Sequence, residues 1–187
     1  MVKRLWAAVA VVVLGLALPL VYSGEKLVSG PQVGAEVPGP FHPLNVTGEA
    51  AGKKNCLYCA YGEAPVAVVF ARDLTPQVAA LIKQIDATTA KNKAATDMGS
   101  FAVFCSDDEK LQSKLEAFAA KEKISNLVLS IDNPTGPAAY KIAKEADVTV
   151  LYYNKHTVAS NHAFRAGELK DADVSRVTSD VKTILPK

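Results

Sequence analysis

Two cysteines, Cys56 and Cys59, are separated by only two residues and stand shortly before the apolar run of residues 65–71. A C-x-x-C pair can cycle between a dithiol and a disulfide, which predicts exchange with the thiols or disulfides of other proteins. The same pair can instead be a structural disulfide, although its small closed loop limits the entropic stabilisation. The spacing therefore leaves two functions open: a redox pair, or a structural disulfide that holds together the hairpin leading into the next strand.

The residues around the pair do not predict a strongly activated thiolate. A cysteine pKa falls beside cationic side chains or at a helix N-terminus. Here Lys53 and Lys54 are the nearest bases, and no helix is predicted to begin at the pair. Structural zinc typically takes four ligands, and His42, His156 and His162 show no paired ligand spacing with the cysteines. We therefore predict neither a metal nor another cofactor.

Alternating strand and helix signals follow the pair. Residues 66–71 are apolar on both faces, as in a central strand. Thr75 and Pro76 then form the N-cap and first position of a helix. Further strands are predicted at 101–105, 127–131, 148–153 and 157–164, and further helices after Ser106, over 140–146 and from Asp171. This order predicts an α/β fold with a mostly parallel central sheet, helices on both faces and a C-terminal antiparallel hairpin.

That order of elements resembles the thioredoxin-like superfamily, specifically its redoxin branch of peroxiredoxin-like and thiol:disulfide-interchange proteins. Residues 33–38 read V-G-A-E-V-P, which is similar to the V-G-x-x-x-P opening common in redoxins. Residues 65–71 look like the central strand of that family, and the resemblance extends over residues 33–185. It implies a thioredoxin-like fold and, as partners, the thiols or disulfides of other proteins. The alternative is a non-catalytic binding or structural module that keeps this fold, with Cys56–Cys59 as a structural disulfide.

The sequence departs from this family at its usual active site. Thioredoxin-like enzymes carry the reactive cysteine after the central strand, at the start of the next helix, but residues 71–76 contain none. The family's cis-proline is expected near Val148, where valine stands instead. Arg72, Asp73 and Thr75 occupy the vacant position, and a ligand-binding role there is one interpretation. The alternative is that Thr75 caps the helix, Asp73 favours its positive end and Arg72 is solvated.

The third cysteine, Cys105, closes the strand at 101–105. Buried thiols at strand ends usually act as small apolar groups. In the expected topology Cys105 lies at the carboxyl edge of the sheet, while Cys56 and Cys59 precede their strand and lie toward the other edge. We therefore predict that Cys56 and Cys59 are joined to each other and that Cys105 is free, since a disulfide needs Cα atoms within about 7 Å.

Length and charge limit the classes of function. The 187 residues are 49% apolar, which is enough for the core of one ordinary domain. Basic side chains number 21 and acidic ones 19, and two of the basic residues are Lys3 and Arg4 in the N-terminal segment. The remaining chain is thus near neutral, with no basic stripe, so we do not predict nucleic acid as a partner.

The N-terminal segment has the order of an export signal. Basic residues are followed by an apolar run, Leu5 to Val21, and then by small residues before Gly24. We interpret residues 1–23 as a signal peptide or, if uncleaved, as an N-terminal anchor. Residues 24–43 are rich in proline and glycine and are predicted as a linker, followed by a thioredoxin-like domain at 44–187. The protein is then secreted or periplasmic, with no stable membrane partner unless the segment stays uncleaved.

Overall fold

The computed structural model describes residues 26–186, which contain one six-stranded sheet. The strands are β1 (Leu44–Asn45), β2 (Val66–Ala71), β3 (Gly99–Cys105), β4 (Val128–Asp132), β5 (Val148–Asn154) and β6 (Thr157–Phe164). In space their order is β1-β4-β3-β2-β5-β6. Strands β2, β3 and β4 form a parallel centre, β1 is antiparallel to β4, and β5 and β6 add an antiparallel hairpin beside β2. The predicted α/β fold with its closing hairpin is confirmed.

Four α-helices and two short 3-10 turns accompany the sheet within the described residues. The helices are α1 (Leu57–Tyr61), α2 (Pro76–Thr96), α3 (Leu111–Glu122) and α4 (Asp171–Ser179), and the 3-10 turns are Ala138–Tyr140 and Asp180–Thr183. No helix in residues 26–186 combines the length and the apolar character needed to cross a bilayer. The predicted signal peptide or anchor at 1–23 lies outside the described residues.

One face of the sheet is covered by the longer helices. Every residue of β2 is buried, as its uniformly apolar sequence predicts. Val78, Leu81, Ile82 and Ile85 of α2 recur at helical spacing and are all buried against this face. Residues of α3 and α4 complete the same cluster. Burial of this continuous apolar surface stabilises the packing of α2 against the sheet.

The other face is covered mainly by irregular chain and by α1. Val37 and Phe41 of the N-terminal segment pack there with Leu57 and Tyr140. The Phe41 ring lies 4.9 Å from the Tyr140 ring, in an edge-to-face arrangement. Residues 24–43 are predicted as a linker. Within residues 26–43 the structure shows a segment without helix that packs closely on the sheet, with Val37 and Phe41 buried in the core.

Two predicted helices differ from the structure. The helix expected after Ser106 begins at Leu111, because Ser106 Oγ accepts the N–H of Asp108 and the Asp108 carboxylate accepts the N–H of Lys110. These local side-chain bonds hold the segment in turns. The helix expected over 140–146 is replaced by the 3-10 turn at Ala138–Tyr140. That turn ends at Lys141, whose left-handed φ of 52° breaks helical geometry.

Candidate functional site

Cys56 and Cys59 are bonded to each other, with their Cα atoms 5.2 Å apart. Cys105 is the free cysteine and is buried. The disulfide precedes β2, and Tyr61 of the adjoining helix contacts Gly99 at the start of β3, whereas Cys105 ends that strand. Seven strand residues span about 20 Å. The two thiol sites therefore lie at opposite ends of the sheet, beyond the reach of a disulfide.

The local structure of the pair corrects one sequence-based expectation. The pair was expected in a hairpin away from any helix start, yet Cys56 is the N-cap of α1. Its Sγ accepts the backbone N–H of Cys59 at 3.1 Å, as a serine N-cap oxygen would. The helix spans only five residues and ends at Gly62, which has a φ of 52°. A helix this short has no apolar periodicity for sequence analysis to detect.

The two sulfur-bearing residues differ in access to solvent. Cys56 is 7% exposed and belongs to the buried set, whereas Cys59 is exposed. Cys59 is therefore the cysteine that is more open to an incoming thiolate. Attack at Cys59 would release Cys56 as the leaving thiolate, at the atom that already accepts a backbone N–H. Unequal exposure would thus give the two cysteines different roles in an exchange reaction.

Aromatic contacts fix α1 to the amino end of the sheet. The Tyr61 ring is stacked on Phe101, with centroids 6.1 Å apart, and its hydroxyl donates to Ser100 O at 3.3 Å. Burial raises the pKa of Tyr61. On the other side Tyr58 lies 4.8 Å from the His156 ring. Gly99 permits this packing, because a Cβ there would clash with the Tyr61 ring.

The carboxyl end of the sheet, where redoxins carry their site, is held by Arg72. Its Nε donates to Ala146 O at 2.9 Å, and its two terminal nitrogens donate to Pro134 O at 2.6 Å and Ala143 O at 3.0 Å. The guanidinium therefore joins the end of β2 to the β4–β5 connection. The interpretation of Arg72 as a solvated side chain is wrong, because three backbone carbonyls bind it.

Thr75 and Asp73 serve the start of α2. Thr75 Oγ1 accepts the N–H of Val78 at 3.3 Å, which confirms the predicted N-cap. Asp73 Oδ1 accepts the adjacent N–H of Leu74 at 2.7 Å. Val148 begins β5, and no peptide bond in residues 26–186 is cis. Thr75 and Asp73 thus bind backbone N–H groups at the position where thioredoxin-like enzymes carry their active site.

Cys105 is packed in this same end of the sheet. Its side chain is 3% exposed, and a Cβ on Gly136 would lie only 3.1 Å from its Sγ. Burial raises the pKa of the Cys105 thiol to about 12, and the nearby Arg72 offsets this only in part. A thiol with such a pKa stays protonated near neutral pH and is a poor nucleophile.

His162 of β6 belongs to a polar cluster with Ser160 and Asp180. His162 Nε2 lies 2.8 Å from Asp180 Oδ2 and 3.1 Å from Ser160 Oγ. Ser160 also donates directly to the same Asp180 oxygen at 2.7 Å. A Ser-His-Asp relay needs the acid and the serine on different ring nitrogens, so this cluster is a structural network. Residues 26–186 hold no group of three or more His, Cys, Asp or Glu side chains arranged for a metal.

Solved structures share the fold, although no protein-family model and no curated protein sequence matches the chain. A putative protein disulfide isomerase from Bacteroides thetaiotaomicron aligns with TM-score 0.62 and 14% identity over 86% of this chain and 96% of that one. Peroxidoxin BcpB from Mycobacterium tuberculosis aligns with TM-score 0.56 and 17% identity over 86% and 100%.

A third structure is a secreted Mycobacterium tuberculosis disulfide oxidoreductase homologous to E. coli DsbE, with TM-score 0.54 and 13% identity over 74% of this chain and 94% of that one. The chain therefore has the thioredoxin-like fold, and the three similar structures are described as a disulfide isomerase, a peroxidoxin and a disulfide oxidoreductase.

Proposed function

We propose that the protein carries out thiol–disulfide exchange through Cys56 and Cys59, at the end of the sheet opposite to the usual redoxin site. The observation that carries the proposal is the unequal exposure of the two cysteines, with Cys59 open to solvent and Cys56 buried. A bridge with one accessible sulfur offers a single direction of attack. Protein dithiols are the proposed substrates of the oxidised pair.

The reaction balances with the groups at hand. A substrate thiolate attacks Cys59 Sγ, the Cys56–Cys59 bond breaks, and Cys56 leaves as a thiolate that accepts the Cys59 N–H. A second substrate thiolate then attacks the substrate sulfur of the mixed disulfide and releases Cys59. The substrate dithiol loses two electrons and becomes a disulfide, while the protein pair gains them and becomes a dithiol.

The opposite end of the sheet supports this assignment by its chemistry. Arg72 fills the usual position with backbone contacts, and Cys105 is buried with a raised pKa. Neither group supplies an accessible thiolate. Exchange through this chain therefore depends on Cys56 and Cys59.

Two single variants test the assignment of roles. In the reduced state Cys56→Ser retains the exposed thiol and Cys59→Ser retains the buried one. We expect Cys56→Ser to form a mixed disulfide with oxidised glutathione at least about tenfold faster, since the thiolate must reach the attacked sulfur. Mass spectrometry of quenched samples gives both rates. Faster reaction of Cys59→Ser would overturn the assignment.

A structural disulfide is the second candidate, favoured by the burial of Cys56 and by the firm packing of Leu57 and Tyr61. In that case the bond would only hold α1 in place. The wild type would then resist reduction, and the Cys56→Ala, Cys59→Ala double variant would lose up to a few kcal/mol of unfolding free energy. Easy reduction together with a small loss of stability favours exchange.

We also propose that the protein is exported. A disulfide persists outside the cytoplasm, and the M. tuberculosis oxidoreductase of similar fold is described as secreted. Mass spectrometry of the protein from its host should show an N-terminus near Gly24. An intact N-terminus in the membrane fraction would instead indicate the uncleaved anchor.

A further inference from the structure

A cleft of about 440 Å³ opens beside the disulfide-bearing helix. Its walls are the turn after β1, one face of α1 and the chain leading into β4. Leu57, Ala60 and Tyr61 line it from α1, and Val128 lines it from β4. The volume falls in the range of sites that hold small ligands or short peptide segments. Ala60, which lines the cleft, directly follows the exposed Cys59 in α1.

Asn45 in the wall of this cleft carries an unused acceptor. The residue is 2% exposed, and its Oδ1 has no hydrogen-bond partner within residues 26–186. Its backbone is already bonded, since its N–H donates to Lys53 O and its carbonyl accepts the N–H of Gly52. A buried acceptor without a partner is costly and is rarely retained without a reason. The soft terminal torsion of asparagine lets the amide turn toward a donor in the cleft.

The remaining lining suits a neutral chain with alternating polar and apolar groups. Leu57 and Tyr61 supply an apolar floor, whereas Asn126 supplies polar groups at the rim. Glu49 and Lys93 also line the cleft and carry opposite charges. This balance disfavours a strongly anionic or cationic ligand and matches the uncharged backbone of a polypeptide.

We propose that this cleft binds an extended segment of the substrate polypeptide next to its reactive cysteine, with a peptide N–H donating to Asn45 Oδ1. The proposal rests on the exchange function of Cys56 and Cys59. Residues flanking the substrate cysteine lie along α1, which brings the sulfur to Cys59. The cleft thus determines which cysteines react, while the disulfide performs the chemistry.

The kinetic test uses the reduced full-length protein and two chromogenic disulfides. One is a capped pentapeptide, with alanine and valine flanking a central cysteine that is bonded to thionitrobenzoate. The other is Ellman's reagent, which has no peptide. In both, the protein thiolate displaces thionitrobenzoate, whose absorbance gives the rate.

Tryptophan at the rim of the cleft should slow only the peptide reaction. Ser125 is exposed and lines the cleft, so Ser125→Trp fills it from the rim. We expect its peptide reaction to slow about tenfold, equivalent to 1.4 kcal/mol, with no change toward Ellman's reagent. Ser113→Trp, on an exposed position of α3 away from the cleft, is the matched control. Equal peptide rates in the two variants would overturn the proposal.

A second variant tests the unpaired Asn45 Oδ1, and its stability shows whether any loss of rate comes from misfolding. Asn45→Leu keeps the volume and removes the unpaired oxygen, so the thermal unfolding temperature should stay the same or rise. The peptide reaction should nevertheless slow about threefold, through loss of one hydrogen bond. An unchanged peptide rate in a folded Asn45→Leu protein would contradict the role assigned to Asn45.

Binding without chemistry separates this inference from the exchange function. The same peptide with serine in place of cysteine is titrated into ¹⁵N-labelled wild-type protein. We expect amide shifts at residues 47–50 and 124–128. Failure of wild-type exchange with both disulfides would reject the proposed function and leave this titration to decide the cleft. Shifts elsewhere, or none, would overturn the cleft assignment.

Discussion

The two ends of the parallel centre are built from different interactions. At the carboxyl end Arg72 donates to three backbone carbonyls, and Cys105 is buried beneath the β4–β5 connection. At the amino end a five-residue helix presents a disulfide with one exposed cysteine, beside a cleft. The end that carries the active site in redoxins is thus closed by hydrogen bonds, and the other end carries the exposed cysteine, Cys59. A shared fold does not by itself fix where on the molecule chemistry occurs.

Removal of the arginine should have the largest effect on stability. Arg72→Met leaves three carbonyls without their charged donor, and we expect a loss of about 3 kcal/mol in the free energy of unfolding. Urea unfolding measures it. Exchange at Cys56–Cys59 should stay within about twofold of wild type, because the contacts of Arg72 lie at the opposite end of the sheet.

Lys114→Met is the control for charge removal at this end. Lys114 forms exposed ion pairs with Asp73 at 3.7 Å and Asp108 at 3.6 Å. Exposed pairs of this kind contribute little, so the loss should be below about 0.5 kcal/mol. Equal losses in the two variants would show that Arg72 acts by charge and not through its carbonyl contacts.

A methyl group at the amino end should have the next largest effect. Gly99→Ala places a Cβ against the Tyr61 ring, which must move together with α1. We expect a loss of about 2 kcal/mol, typical of overpacking, and faster reduction of the disulfide by dithiothreitol. Tyr61→Phe keeps the ring and is the matched control. Unchanged reduction in a destabilised Gly99→Ala protein would show that α1 packing does not control access to the pair.

Acid sensitivity should arise at neither end but at the contact of β6 with the 3-10 turn after α4. Partial burial raises the pKa of Asp180, but hydrogen bonds from Ser160 and His162 outweigh it and hold the pKa below its ordinary value of 3.8. A lowered folded-state pKa stabilises the protein above the unfolded pKa, and this stability is lost as the pH falls through the folded one.

Asp180→Asn should therefore destabilise the protein at pH 7 and have less effect at pH 3. Urea unfolding at the two pH values provides the comparison. Ser179→Asn, at an exposed neighbouring position, controls for the new amide. A loss in Asp180→Asn that is the same at both pH values would contradict the charge-based account.

Cys105 should have the smallest effect on exchange. Its thiol is buried, and its pKa is raised to about 12, so iodoacetamide at pH 8 should modify it only after unfolding. Cys105→Ala should change the exchange rate less than about twofold, since a buried protonated thiol does not attack. Peptide mapping of the alkylated reduced protein gives the result. Fast labelling of native Cys105 would place reactive sulfur at both ends.

The strands and the cap of α2 could be predicted from sequence because their signals are local. The uniformly apolar β2 and the Thr75–Pro76 pair each follow from neighbouring residues. The role of Arg72 could not be predicted, because its carbonyl partners lie 62 to 74 residues away. The cleft beside α1 has the same origin, since Asn45 and Ser125 approach each other only through the β1–β4 pairing.

The reduction potential of the Cys56–Cys59 pair tests the central claim most directly. Oxidised wild-type protein is equilibrated in graded dithiothreitol buffers, and the thiols are mapped by peptide mass. A pair that exchanges electrons with protein thiols should titrate above about −300 mV, the level below which structural bridges resist reduction. A potential far below this value, with Cys56 and Cys59 still bonded in strong reductant, would contradict exchange and assign the disulfide to structure.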